Sequence, residues 1–176
     1  MKYAITGHTR GLGAAIVKQL AYGNSYVGFS KSTGYDIGNI DDRTRIVNEI
    51  EDCHVFINNA HSGYAQTEML YDIWNKWQDT NKLIVNIGSN TTDGIKAHAH
   101  KYTAEKISLE KASEQLSTQN KCKVTLFKFG WIGSERVLTN YKPDSYITVT
   151  DAAKYIIQTI NLTHNYRLVS TTLLPK

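Results

Sequence analysis

Tyr102 and Lys106 stand four residues apart, so on a helix their side chains share one face, a turn from each other. A phenol with an ordinary pKa of about 10 exchanges protons poorly at neutral pH, and an adjacent ammonium stabilises its phenolate. The pair therefore describes an acid and base acting on a substrate oxygen. With eleven tyrosines in the chain, one such spacing is expected about once by chance, so position has to decide. The pair opens the amphipathic stretch 101–118, which follows the apolar run Leu83–Gly88, and Ser89 closes that run. Ligands of open α/β sheets bind beyond the carboxyl ends of the strands, where the Ser89 hydroxyl would hold a substrate oxygen in line with the phenol. Taken singly, the three residues also fit a helix-start hydroxyl, a solvated cation and a strand-end cap.

A second constellation opens the chain. Ile5-Thr6-Gly7-His8-Thr9-Arg10-Gly11-Leu12-Gly13, directly after Tyr3-Ala4-Ile5, reads as a strand, a glycine-rich turn and a helix start. Three glycines at this spacing let the backbone turn sharply and approach a pyrophosphate, while the free N–H groups and positive end of the helix face its charge. The implied ligand is a dinucleotide, although such turns also close strand–helix joints with nothing bound.

The elements that must position these groups alternate. Lys2–Thr6, Ser25–Ser30, Cys53–Asn58, Leu83–Gly88, Cys122–Phe129 and Arg167–Ser170 read as strands, with helices near 11–22, 41–51, 66–78, 101–118 and 149–161. Continuous apolar runs such as Val55-Phe56-Ile57 and Leu83-Ile84-Val85 imply strands covered on both faces. The expected fold class is α/β, a doubly wound parallel sheet flanked by helices. One crossover is short: Lys31 to Asp36 leaves no room for a helix before a third strand, so that strand is either a stub around Tyr35–Ile37 or absent from the sheet edge. Asp41-Asp42 is expected to cap and charge one helix start, and Thr148 or Thr150 another. On 101–118, Ile107, Ala112 and Leu116 are expected to face the core, with lysines and glutamates opposite.

The 176 residues suit one domain, 1–176. The net charge of +4 is modest, and the basic region Lys96 to Lys128 is interleaved with Glu105, Glu110 and Glu114, as on a solvated helix face rather than a nucleic-acid footprint. Cys53 and Cys122 lack zinc-ligand spacing and read as buried, reduced thiols of a reducing cytosol. No signal-peptide core or membrane-spanning run is seen, so a cytoplasmic protein without membrane partners is expected. His98-x-His100 lacks further ligands to complete a metal shell, so no metal is expected there, and His100 is read as a solvated or substrate-facing loop residue.

These ordered motifs resemble the short-chain dehydrogenase/reductase family. Thr6-Gly7-x-x-x-Gly11-x-Gly13 matches its cofactor motif, Asn58-Asn59-Ala60 matches its Asn-Asn-Ala-Gly motif with His61 in place of the glycine, and Ser89 precedes Tyr102 by the family's usual thirteen residues. The likeness spans residues 3 to 134. It implies a Rossmann-type sheet and reversible hydride transfer between a nicotinamide cofactor and a small-molecule carbonyl or alcohol. Tyr102 is then the proton donor, Lys106 its electrostatic partner and a ribose ligand, and Ser89 the carbonyl orienter.

The cofactor residues so implied are Gly7, Thr9, Arg10, Gly11, Leu12, Gly13, Lys31, Asp36, Ile37, Asn59, Ala60, Tyr102, Lys106, Ile132 and Ser134. The second strand ends in Ser30-Lys31-Ser32, without the acidic residue that accepts from the ribose 2′-hydroxyl in NAD-preferring members. Arg10 and Lys31 would neutralise a 2′-phosphate, so NADP(H) is favoured over NAD(H); both also fit solvated loop cations. Asp36-Ile37 resembles the pair flanking the adenine, and Asn58 with Ala60 the adenosine side. Ile132 and Ser134 fit the nicotinamide carboxamide contacts, with Phe129 where the family has proline.

The chain is shorter than the usual member in three places: after the second strand, between Asn-Asn-Ala and Leu83, and before the last helix. No residue takes the place of the family's fourth catalytic residue, an asparagine, since Asn75 reads as a surface helix residue. The abbreviated loop Glu135–Tyr146 leaves a shallow or partner-completed pocket, with Trp131, Tyr64 and Tyr141 available as walls. A homodimer or homotetramer pairing through 66–78 and 101–118 is expected. The alternative is a nucleotide-sensing or scaffolding protein that retains only cofactor binding.

Overall fold

The computed structural model describes residues 1–20, 23–94, 99–119, 121–162 and 166–176. Its strands are β1 (Lys2–Thr6), β2 (Ser25–Phe29), β3 (Val55–Asn58), β4 (Leu83–Ile87), β5 (Lys123–Phe129) and β6 (Ser170–Leu173). They form one all-parallel sheet in the order β2-β1-β3-β4-β5-β6. The helices are α1 (Gly11–Gln19), α2 (Ile40–Glu49), α3 (Ala65–Trp77), α4 (Lys101–Ser117), α5 (Glu135–Asn140) and α6 (Val149–Leu162). This is the doubly wound α/β architecture that the alternating apolar runs predict.

Strand alternation builds two cores. Tyr3, Ile5, Ile57, Val85 and Phe127 point to one face and pack with Leu12 and Ile16 of α1 and with Ala152, Ile156 and Ile160 of α6. Ala4, Phe56, Ile84 and Leu126 point to the other, against Ile46 of α2, Met69, Ile73 and Trp77 of α3, and Leu109 and Leu116 of α4. The order reverses at β1, whose two neighbours are β2 and β3, so the carboxyl ends of β1 and β3 form the switch-point crevice where open sheets take ligands.

The open question at the sheet edge resolves in favour of a missing strand. Lys31–Thr33 forms a single 3₁₀ turn, Gly34 turns the chain at φ 83°, and the path leads into α2 with no strand at Tyr35–Ile37. β2 is therefore the edge strand among the described residues. At the opposite edge β6 begins three residues later than predicted. Val169 and Leu168 already accept from Leu126 N and Thr125 Oγ1, but the regular ladder needs the β-branched Thr171 and Thr172 facing Phe127 and Lys128.

Two boundary readings shift. Asn39 rather than Asp41-Asp42 caps α2, its Oδ1 accepting from Asp41 N at 2.7 Å and Asp42 N at 3.3 Å, while both aspartates occupy the first turn where the helix dipole favours them. Thr148 caps α6, accepting from Asp151 N at 3.0 Å and donating to Asp151 Oδ2 at 2.7 Å. The predicted loop after Ser134 contains α5, too short to show a hydrophobic period.

Helix α4 also corrects a prediction. Ile107 is 41% exposed, because the step of five from Ile107 to Ala112 leaves the helical face, whereas Leu109, Ala112 and Leu116 keep it. Thr103, Glu105 and Lys106 are buried on that side, so a carboxylate that the sequence assigned to the solvated face lies inside, next to the ammonium expected at the site. Among the described residues no helix is long and apolar enough to cross a membrane, and no cluster of three or more acidic, histidine or cysteine side chains could hold a metal. His98 lies outside the described residues.

Candidate active site

The glycine-rich turn is built by backbone conformations and one amide clamp. Gly7 and Gly11 adopt φ 69° and 54°, the left-handed region that glycine enters without strain. Asn59, just past β3, donates from Nδ2 to Thr6 O (3.0 Å) and Gly7 O (3.3 Å). Thr6 Oγ1 in turn accepts from the backbone N–H groups of Asn59 and Ala60, each at 3.0 Å. Asn59 thus holds the turn against β3. Gly13 lets α1 press on that turn: a Cβ there would fall inside contact distance of Gly7 O and 2.9 Å from Asn59 Nδ2. The N-cap, Arg10, is extended and supplies no side-chain cap to the first N–H groups of α1. Two left-handed glycines beside an uncapped helix start fit the pyrophosphate of a dinucleotide.

At the carboxyl ends of β4 and the start of α4 the three predicted catalytic groups come together. Ser89 follows β4, and its Oγ accepts from Thr91 N at 3.2 Å, which fixes its direction. The turn after Ser89 is tied to α4 through Thr91 Oγ1 and Thr103 Oγ1 at 2.8 Å, which brings Ser89 to the side of the Tyr102 phenol whose pKa it lowers. Lys106 Nζ lies 5.5 Å from the centroid of the Tyr102 ring. Burial pushes the Tyr102 phenol above its ordinary range, and the Ser89 side chain and the Arg136 guanidinium pull in the opposite direction.

Lys106 is held by residues that the sequence did not reveal. Its ammonium donates to Gln66 Oε1 at 2.7 Å and to Ile87 O at 2.9 Å. Gln66, on the first turn of α3, spends both amide protons on Asn58 O (2.7 Å) and Ile87 O (3.1 Å), so its oxygen must face Lys106. Asn58 Nδ2 donates to Gln66 O and Asn86 Oδ1, and Asn86 Nδ2 to Ser113 Oγ, tying β3, β4, α3 and α4 into one buried polar network. Burial of the ammonium lowers the Lys106 pKa to about 7, with the neighbouring Glu105 carboxylate opposing the shift.

His61, which stands where the motif has glycine, completes the cluster. Its Nε2 lies 2.9 Å from Glu105 Oε2, and its ring meets the Tyr102 ring edge-on at 5.0 Å between centroids. Burial and the positive charges of Lys106 and Arg136 lower its pKa despite the Glu105 contact, favouring neutral imidazole. His100 Nδ1 is 2.6 Å from Thr103 Oγ1, with its ring 6.1 Å from that of Tyr102.

Around the rim the predicted cofactor residues divide. Thr9, Ser30, Ser32 and Thr33 form a hydroxyl cluster linked at 2.9–3.4 Å beyond β2, with exposed Arg10 nearby in sequence. Lys31 pairs with Asp36 at 2.7 Å, so this cation is already matched by a carboxylate. Ile37 is 4% exposed and lies in the α2–α3 core rather than on an open adenine-facing rim. The Leu12 side chain is likewise spent on the α1–α6 core, and Ala60 packs against the opposite core. Ile132 pairs with Ile147 and packs on the α6 side, while Ser134 caps α5 through Val137 N and stands beside Gly11. Trp131 and Tyr141 flank α5 with ring centroids 5.3 Å apart. Asn75 is exposed on α3, away from this cluster's contacts.

No protein-family profile matches the sequence, and no curated protein matches it. The similarity lies in three dimensions. An alcohol dehydrogenase from the archaeon Thermococcus sibiricus, solved with 5-hydroxy-NADP, aligns with a TM-score of 0.80 and 15% identity over 98% of this chain and 96% of its own. BdcA, solved with NADPH, aligns with a TM-score of 0.82 and 15% identity over 98% of this chain and 92% of its own. A short-chain dehydrogenase/reductase from Burkholderia phymatum, solved with NAD, gives 0.74 and 15% over 96% and 88%. At these identities the likeness establishes the fold.

Proposed function

We propose that this chain is a short-chain dehydrogenase/reductase, an NADP(H)-dependent oxidoreductase interconverting a carbonyl compound and its alcohol. The observation that carries the reading is the meeting of Ser89, Tyr102 and Lys106 at the carboxyl edge of a sheet whose switch point holds the glycine-rich turn. A bound nicotinamide coenzyme supplies the hydride in reduction and accepts it in oxidation.

The chain's own groups do the rest. In reduction Tyr102 gives its proton to the substrate oxygen, and Ser89 donates a hydrogen bond to the same oxygen. Lys106, with two N–H groups held by Gln66 and Ile87, turns its remaining charge toward the phenol and stabilises the phenolate. Solvent returns one proton to Tyr102 per turnover, which balances the reaction. Gly7, Gly11 and the start of α1 hold the pyrophosphate. Arg10 and the Thr9, Ser30 and Ser32 hydroxyls take a 2′-phosphate, and Lys31 joins them readily because its pairing with Asp36 is an exposed one that contributes little.

Titration with NADPH and NADH, followed by intrinsic fluorescence, tests this. NADPH is expected to bind about tenfold more tightly, and Arg10→Ala to narrow that gap, as one charge-assisted contact to phosphate requires. Equal affinities would remove the NADP(H) preference, and no binding of either would remove the proposal.

Lys106 gives the reaction a pH dependence of definite sign. The protonated ammonium supports the phenolate, and its pKa of about 7 means that the support fades as pH rises through neutrality. The rate of carbonyl reduction is expected to be highest below that value and to fall above it. Stability moves oppositely: the unfolded chain holds this proton up to the ordinary lysine value of 10.5, so between about 7 and 10.5 unfolding becomes less favourable as pH rises. Rate profiles and thermal melts over the same buffers check both limbs.

Cys53 and Cys122 are free and buried, and burial pushes the Cys122 thiol up to about 12, leaving it unreactive. This suits a reducing compartment, and we place the protein in the cytoplasm as one domain that pairs through α3 and α4.

A further inference from the structure

Strand β5 carries a charge inside the sheet. Lys128 alternates with Val124 and Leu126, which pack in the core shared with α3 and α4, and its own side chain is 10% exposed. A buried ammonium is kept only where oxygens meet it, and two carboxylates do: Glu110 Oε1 of α4 at 3.3 Å, and Asp93 Oδ1 in a salt bridge. Burial works against the charge, yet the hydrogen bonds to Asp93 and Glu110 carry the Lys128 pKa above the ordinary lysine value. One ammonium between two carboxylates leaves one negative charge uncompensated, and Glu110 Oε2 is buried with no hydrogen-bond partner among the described residues. Glu110 alone would therefore neutralise the lysine, and the contact with Asp93 needs another reason.

Asp93 ends the turn that Ser89 begins. Asn90–Thr92 is a single 3₁₀ turn, with Ser89 as its N-cap and Asp93 as its C-cap. Ser89 Oγ accepts from Thr91 N at 3.2 Å, Thr92 Oγ1 donates to Ser89 O at 3.1 Å, and Asp93 N donates to Asn90 O at 3.0 Å, so the direction of the Ser89 hydroxyl belongs to this turn as a whole. A 3₁₀ turn this short has poor hydrogen-bond geometry and little rigidity of its own. Two anchors hold it: Thr91 Oγ1 lies 2.8 Å from Thr103 Oγ1, the residue after Tyr102 on α4, and Asp93 reaches Lys128 on β5. The first anchor fixes the middle of the turn and the second its end, and Gly94, which follows, has no side chain to pack.

We propose that Lys128 is a positioning residue for the reaction: through Asp93 it clamps the Ser89–Asp93 turn onto β5, so that the Ser89 hydroxyl keeps one direction at the carboxyl end of β4. This deepens the oxidoreductase reading and rests on it for the consequence in turnover, whereas the clamp itself is measurable without a substrate. The Lys128 ammonium meets Asp93 and Glu110, so its effect reaches the chemistry through Ser89.

Asp93→Ala cuts the link and leaves the buried Lys128–Glu110 pair balanced, so this variant is expected to fold. Lys128→Met combined with Glu110→Gln empties the buried pair of both charges and cuts the same link, and Asp93→Ala decides where that variant fails to fold. Hydrogen exchange followed by NMR reads the Thr91 and Asp93 amides. NADPH-driven reduction of 4-nitrobenzaldehyde, cyclohexanone and 2,3-butanedione reads turnover in wild type, in both variants, in Ser89→Ala, and in Ser89→Ala with Asp93→Ala. We expect protection of the two amides to fall by about tenfold in Asp93→Ala, with that of Val85 in β4 unchanged. The kcat should fall by about ten- to a hundredfold at an unchanged KM for NADPH, the scale of a small misplacement of one group. Once Ser89 is alanine, Asp93→Ala should cost nothing further. Unchanged Thr91 protection or unchanged kcat in either folded variant, or an equal loss in the Ser89→Ala background, overturns the inference and leaves the oxidoreductase reading intact. Uniform loss of protection along the chain makes the clamp a stabilising contact only and equally overturns it. Selective loss of Thr91 protection without turnover of any probe by wild type upholds the clamp and counts against the oxidoreductase reading, whereas unchanged protection with no turnover overturns both.

Discussion

Tyr102→Phe is expected to lower turnover by about 10²–10⁴-fold while changing coenzyme affinity and stability little. The substitution deletes one oxygen and keeps the ring, so the edge-on contact with His61 at 5.0 Å and the Lys106 ammonium 5.5 Å from the ring centroid both survive. What disappears is the proposed proton donor, while Ser89 Oγ remains fixed by Thr91 N at 3.2 Å. The glycine-rich turn is clamped by Asn59 and Thr6, neither of which touches α4, so the pyrophosphate site does not depend on the phenol. Ser89→Ala is expected to cost less, because it orients the substrate oxygen without supplying the proton. Consumption of reduced nicotinamide with a validated substrate measures the first effect, and a coenzyme titration the second. Undiminished turnover in Tyr102→Phe would remove the phenol from the chemistry and with it the central assignment.

What the sequence could reveal of this site depends on whether a residue's role is local. The glycine-rich turn was legible because its conformation belongs to three glycines within seven residues, and two of them do take left-handed φ values. The Tyr102–Lys106 spacing was legible because one helix turn creates it. Gln66 was not, since its relation to Lys106 arises only when α3 and α4 pack on the same ends of β3 and β4. The one local signal was a polar residue among buried ones near the start of a helix, which by itself resembles a surface glutamine. Glu105 and Lys106 broke the binary pattern for the same reason: their burial is compensated by His61, Gln66 and a strand carbonyl far away in sequence. Lys31 and Asp36 were assigned separate roles, yet the turn at Gly34 brings them into one ion pair. The first five strands followed from apolar runs, whereas β6, whose four residues Ser-Thr-Thr-Leu contain no such run, begins three residues later than the sequence suggested.

Gly13→Val makes the opposite prediction to Tyr102→Phe, striking the coenzyme site and the fold together. A Cβ at this position meets Gly7 O and lies 2.8 Å from Gly7 C, and these are backbone atoms that no rotamer change can move aside. Relief requires α1 to withdraw from the turn. That withdrawal breaks the register of Gly7 with Asn59 Nδ2 and lifts Leu12 and Ile16 out of the core shared with Phe127 and Ile156. Overpacking of this kind costs about 1–3 kcal/mol even for one added methyl, so Gly13→Ala should already lower the melting temperature by several degrees and Gly13→Val by more. Because the same movement takes the helix start away from the turn, coenzyme affinity should fall with stability in both variants. Gly94→Ala supplies the comparison, since a Cβ there meets nothing within 4 Å and its φ is ordinary; its stability should stay within about 0.5 kcal/mol of wild type. A Gly13→Val protein that melted normally and bound NADPH normally would mean that α1 does not rest on the turn, and the pyrophosphate site would have to lie elsewhere. Affinity lost with Gly13 and turnover lost with Tyr102 would instead separate the two halves of the site, one that holds the nucleotide and one that moves the proton.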